Sequence, residues 1–168
     1  MATAIRCFLC LALVPALVAG QAATAAAETL PGPYPAAVER VVDGDTLGVR
    51  VAIWLGQELS VLVRIRGIDA PELRGRCDGE KTRARDAASA LQRLVTEGAV
   101  VLTRIEGDKY FGRVVADVAT PEGGDIGAAL VAGGHARAYD GGARRSWCEI
   151  GSRKADEMRR RASFATDY

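Results

Sequence analysis

Between Ala36 and Gly67 the chain is rich in valine, isoleucine and leucine, with interruptions at Gly44 and at Gly56-Gln57. Within that stretch Leu59, Val61, Val63 and Ile65 alternate with Ser60, Leu62, Arg64 and Arg66. Alternation with a period of two belongs to a strand that buries one face, because successive side chains of a strand point to opposite sides. The pattern predicts a meander of three strands over residues 37–43, 45–54 and 58–67, the third carrying its arginines on one face.

The period then changes. Over residues 78–97, Ala84, Ala87, Ala88, Leu91, Leu94 and Val95 fall on one side of a helix and charged residues on the other. Asp78 is placed to cap its start and Gly98 to stop it. Two further strands are expected over 100–106 and 113–119, around a Gly-Asp-Lys-Tyr turn region. A short helix over about 126–132 and a charged one over about 149–164 complete the chain. Five strands with helices between and after them predict a mainly β fold with helices (α+β), a five-stranded OB-fold barrel with about three helices.

The ends carry different signals. Arg6 is the only charge before Glu28, and Cys7 to Ala19 is almost wholly apolar. That run, roughly 13 residues, is shorter than the ~20 needed to span a bilayer, and it leads to small residues ending at Ala27. Residues 1–27 therefore read as a secretory signal, and the product is expected to be secreted or periplasmic, with no stable membrane association after cleavage. Residues 28–36, with Pro31, Pro33 and Pro35, suit an extended tether. Residues 37–168 form the expected domain, of a size for one hydrophobic core, and the protein is expected to act as a monomer.

Losing the signal removes one basic residue and leaves basic and acidic side chains in equal number. Overall charge thus gives no attraction to nucleic acid, and any affinity for phosphate must come from local clustering. Only Cys77 and Cys148 remain, in an oxidising compartment, and are expected to pair. Two cysteines and one distant histidine, His135, make no zinc site.

Three clusters carry chemistry. Val42-Asp43-Gly44-Asp45-Thr46 puts two carboxylates and a glycine at a strand junction, where hard oxygens suit Ca²⁺ or Mg²⁺, although Asp-Gly is also ordinary turn chemistry. Arg64-Ile65-Arg66-Gly67-Ile68-Asp69-Ala70-Pro71-Glu72 gathers arginine and carboxylates around a strand end, with Pro71 stiffening the exit. Asp108-Lys109-Tyr110-Phe111-Gly112-Arg113 adds a second arginine at the start of another strand. If these ends converge, carboxylates and guanidinium groups share one cleft, which forms either an ion-pair network or a site for a cation and an anion.

In that order, with a helix between the last two, the segments resemble the staphylococcal nuclease (thermonuclease) family, over about residues 38 to 140. The resemblance implies an OB-fold barrel, a Ca²⁺ ion, and hydrolysis of phosphodiester bonds of DNA or RNA to leave 3′-phosphates. It implies Asp45, Asp69 and the backbone carbonyl of Ala70 as calcium ligands, Glu72 beside the attacking water, and Arg64 and Arg113 on the phosphate. Ala70 stands where family members often have threonine, and Phe111 makes the third segment one residue longer than the usual Tyr-Gly-Arg.

Other residues have plainer readings. Asp43 reads as a turn carboxylate, Glu80 as a charge at a helix N-terminus, and Arg144-Arg145 as part of a solvated face. Tyr110 and Tyr139 read as barrel-rim residues that could otherwise stack on a base. The competing functional reading is a non-catalytic OB-fold module that binds nucleic acid or another anion. A structural protein keeping the charges as a buried network is disfavoured, because such networks are costly to retain for stability alone.

Overall fold

The computed structural model describes residues 29–148, so the signal expected over 1–27 and the helix expected over 149–164 lie outside it. In chain order the elements are β1 (Thr29–Leu30), β2 (Tyr34–Val41), β3 (Thr46–Trp54), β4 (Gln57–Ile65), β5 (Ile68–Asp69), α1 (Asp78–Leu94), β6 (Ala99–Gly107), β7 (Arg113–Ala119), α2 (Ile126–Ala132) and β8 (Arg137–Ala138).

Strands β6, β2, β3, β4 and β7 lie side by side, and β6 also pairs with β7, which closes the sheet into a five-stranded barrel. Every pairing around it is antiparallel except β4 with β7, which is parallel, with Leu62 opposite Arg113 and Arg64 opposite Val115. Closure removes the exposed edges that an open sheet of this size would present. The alternation read in the sequence sets which face is inside. Val63 and Ile65 of β4 join Leu47 and Val49 of β3, Val100 and Leu102 of β6, and Ala116 and Val118 of β7 in the core.

Helix α1 lays Ala87, Ala90, Leu91 and other small or apolar residues inward. Ala90 takes the buried place expected for Ala88. The helix ends three residues earlier than expected, and Gly98, at φ +71°, donates its amide to the Val95 carbonyl to make the turn. At the other end, Cys77 holds the cap position and Asp78 is the first helical residue, so the capping role expected for Asp78 is not filled.

The tether is corrected as well. Thr29 and Leu30 pair with Glu106 and Ile105, Tyr34 and Pro35 pair with Leu102 and Val101, and Ala36 is buried. Proline lacks a donor but is tolerated near the beginning of a strand. Pro35 is paired with β6 but lies before the β2–β3 pairing, which begins at Ala36.

A candidate active site

The loop from Val42 to Asp45 is held from both ends. Val42 donates to the Thr46 carbonyl at 2.9 Å, and the Asp45 amide donates to Asp43 Oδ1 at 3.0 Å, which makes Asp43 the turn carboxylate its setting predicts. Gly44 is pressed against the rest of the fold. A Cβ there would lie 2.7 Å from the Ala87 Cβ of α1 and 2.8 Å from the Ala70 Cβ, closer than side chains approach. Glycine at this position lets the acidic loop seat against both the helix and the segment that carries Asp69.

Asp45 is almost wholly buried. Its Oδ1 accepts from Arg64 Nη1 at 2.8 Å and from Thr46 Oγ1 at 3.0 Å, and its Oδ2 accepts from the Ala70 amide at 3.1 Å. Arg64 reaches on with Nη2 to the Ile68 carbonyl at 3.2 Å. Burial raises the Asp45 carboxyl above its usual range against the opposing pull of Arg64, and the nearby Asp43 adds to the rise.

Asp69 is equally buried and is fixed by the short pairing of β5 with β8, where it lies opposite Arg137. Trp147 Nε1 donates to its Oδ2 at 3.1 Å. Its Oδ1 lies 2.9 Å from Arg144 Nε as an ion pair without hydrogen-bond geometry, and is a buried oxygen that accepts no hydrogen bond. A carboxylate pair offers about four acceptor positions per group. The three hydrogen bonds to Asp45 and the single one to Asp69 leave acceptor capacity on both, and hard oxygens of this kind fit a divalent cation such as Ca²⁺ or Mg²⁺. Ala70, next to Asp69 in sequence, is buried and donates its amide to Asp45, which ties the two aspartates together.

Glu72 follows Pro71 on the loop that leads into α1, with its side chain half exposed. Glu80 organises that loop. It is buried, and its carboxylate accepts from the Arg76 amide at 3.0 Å and, at 3.5 Å, from that of Glu72. A Cβ on Gly75 would lie 2.5 Å from the same carboxyl group. Glu80 is therefore a buried acceptor for the loop backbone, more than the helix-terminal charge its position implies.

Arg113 stands at the start of β7, its guanidinium 4.7 Å from the centre of the Tyr110 ring and its Nε bonded to Asp108. The turn between β6 and β7 is closed by Asp108 N to the Arg113 carbonyl at 3.1 Å and by Arg113 N to the Tyr110 carbonyl at 3.3 Å. Phe111 projects from it fully exposed.

Arg64, Glu72, Arg113, Arg144 and Asp43 line one cleft of about 1060 Å³. The three sequence clusters thus meet, with Asp45 and Asp69 buried behind the cleft wall and tied to it through Arg64 and Arg144. Residues 62–162 match the family model for staphylococcal nuclease homologues. The chain belongs to the staphylococcal nuclease family. The match begins after the Asp43-to-Thr46 turn, and it is the barrel that delivers this turn of the staphylococcal nuclease homologue to the matched residues. No curated protein matches the chain.

One residue of the cleft is a correction. Arg144 was expected on a solvated face, yet it bridges Asp69 and Glu72. The disulfide between Cys77 and Cys148 explains how it gets there. That bond places the segment before Cys148 beside the loop that carries Glu72, and Trp147 is further held by its bond to Asp69, by Arg83 Nη1 donating to its carbonyl at 2.7 Å, and by Arg137 stacked 3.6 Å from its ring. The expected cysteine pairing contained the signal, since joining 77 to 148 brings Arg144 near Glu72. Tyr139 lines the cleft with its hydroxyl donated to the Gly142 carbonyl at 2.7 Å, as a rim residue does.

Proposed function

We propose that this protein is an exported, Ca²⁺-dependent nuclease that hydrolyses phosphodiester bonds of DNA or RNA and leaves 3′-phosphates. The observation that supports this most is the meeting of arginines from two strands with Glu72 in one cleft, against a buried pair of aspartates with unused acceptor positions. Phosphate ester hydrolysis is among the slowest reactions enzymes accelerate, so charge developing on the phosphoryl oxygens has to be met by fixed positive groups.

In this reading Arg64 and Arg113 hold the phosphodiester, each with a planar fork suited to two phosphate oxygens. The hydrogen bonds of Arg64 to Asp45 and to the Ile68 carbonyl pre-set its direction, and the one from Arg113 Nε to Asp108 does the same on the other wall. Glu72 takes a proton from, or orients, the water that attacks in line with the leaving oxygen. Asp45, Asp69 and the Ala70 carbonyl would hold Ca²⁺, which supplies Lewis-acid stabilisation of the phosphoryl oxygens. The Cys77–Cys148 disulfide supports an oxidising destination for the chain.

The test is digestion of labelled single- and double-stranded DNA and RNA by the mature protein, with Ca²⁺ and with chelator, followed by end-group analysis. Cleavage that needs Ca²⁺ and leaves 3′-phosphates is expected, and Glu72→Gln should lose most turnover with an unchanged circular dichroism spectrum. Tight binding of oligonucleotides without cleavage across a series of divalent ions would favour the non-catalytic module instead.

A further inference from the structure

We infer that Arg144 is a positioning residue of the hydrolytic site, holding the Glu72 carboxylate at a fixed place beside Asp69. The inference rests on the nuclease reading and deepens it, because it assigns a role to a residue outside the three motifs.

Glu72 needs such a partner. Its side chain is half exposed, on a loop, and the hydrogen bonds that organise the loop engage its backbone through Glu80 and leave its carboxylate untouched. Arg144 Nη1 bonds Glu72 Oε1 while Arg144 Nε faces Asp69 Oδ1 at 2.9 Å, so two different nitrogens of one rigid fork touch two carboxylates. Two like charges brought this close repel, and a shared guanidinium offsets that repulsion and fixes their separation. A lysine offers one nitrogen at the end of a flexible stem and cannot hold both in this way.

The support behind Arg144 is itself built. Three residues on, Trp147 is buried, bonds Asp69 from the other side and is covered by Arg137, and the next residue is cross-linked to Cys77. Arg144 is thus presented from a strap anchored on the same aspartate that it faces. The strap also accounts for its lining of the cleft beside Arg64 and Arg113.

Arg144→Ala and Arg144→Lys, with Glu72→Gln alone and combined with Arg144→Ala, test the role in steady-state DNA hydrolysis with saturating Ca²⁺. A misplacement of about 1 Å can cost ~100-fold in rate, so Arg144→Ala should lower kcat by about 10- to 100-fold with a much smaller change in KM. The double variant should be no slower than Glu72→Gln alone, because both act through one carboxylate. Free guanidinium ion at millimolar concentration should restore part of the activity of Arg144→Ala, which loss of a merely structural contact would not allow. Arg144→Lys, which keeps the charge and the fold, should remain impaired. Wild-type kcat in Arg144→Lys, or independent multiplying losses in the double variant, would overturn the assignment. An inactive wild-type protein would instead overturn the nuclease reading, and with it the role given to Arg144.

Discussion

Removing the cross-link between Cys77 and Cys148 tests how this barrel is held together and how its site is kept in shape. The two cysteines are 71 residues apart in sequence. In the chain-entropy picture, closing a loop of that length in the unfolded chain contributes about 4 kcal/mol at 25 °C. Unfolding entropy of ~2.1 cal/mol/K per residue then converts the loss into a fall in Tm of roughly 15 °C for a domain of this size. The perturbation is the double variant Cys77→Ser with Cys148→Ser, which leaves no thiol among the described residues. Thermal and urea denaturation followed by far-ultraviolet circular dichroism read the stability of the whole barrel. Tryptophan fluorescence follows Trp147 and the exposed Trp54 in the same samples. Coincident transitions displaced by this amount are expected. A Tm within about 3 °C of wild type would refute the entropic reasoning. If Trp147 loosened first while the barrel kept its stability, the cross-link would be acting on the strap alone.

Gly44→Ala should destabilise the protein by about 1–3 kcal/mol in urea titration, because the added methyl meets Ala87 and Ala70 at under 3 Å and one must move. Asp45→Asn tests the buried carboxylate through pH. Burial raises the Asp45 pKa above 3.8, so in the ion-free fold its contribution is full below that value and is lost as pH rises through the raised one. Measured in chelator, the stability of Asp45→Asn relative to wild type should therefore improve between pH 4 and pH 7, and a difference independent of pH would contradict this. With Ca²⁺ added at pH 7, wild type should gain in Tm and Asp45→Asn should gain much less.

The fold was legible where a single physical rule governed a long run of residues. Alternation along Val61, Val63 and Ile65 placed β4 and its inner face, and the helical spacing from Ala84 to Leu91 placed α1. The strand over 113–119 and the helix over 126–132 appear at the bounds expected. Residues 29–36 escaped because prolines spaced two apart look like a linker, and only a partner strand distant in sequence, β6, makes them part of the sheet. Similar limits held at the site. The short-range clusters around Asp45, Asp69 and Arg113 were visible as local groupings of charge. Arg144 and Glu80 were not, because each owes its role to a contact made across the fold, and a charged side chain in isolation looks like solvated surface.

The parallel pairing of β4 with β7 has a consequence for how variable the rim of this cleft can be. Arg113 sits opposite Leu62 on the first rung of the ladder and Arg64 sits opposite Val115 two rungs on, so the spacing between the two guanidinium stems is set by barrel register and does not depend on the hairpin that precedes β7. Residues can be added to that hairpin without spreading the pair apart. Lengthening or shortening it is thus an open route to reshaping the mouth of the cleft while the spacing of the two arginines stays constant.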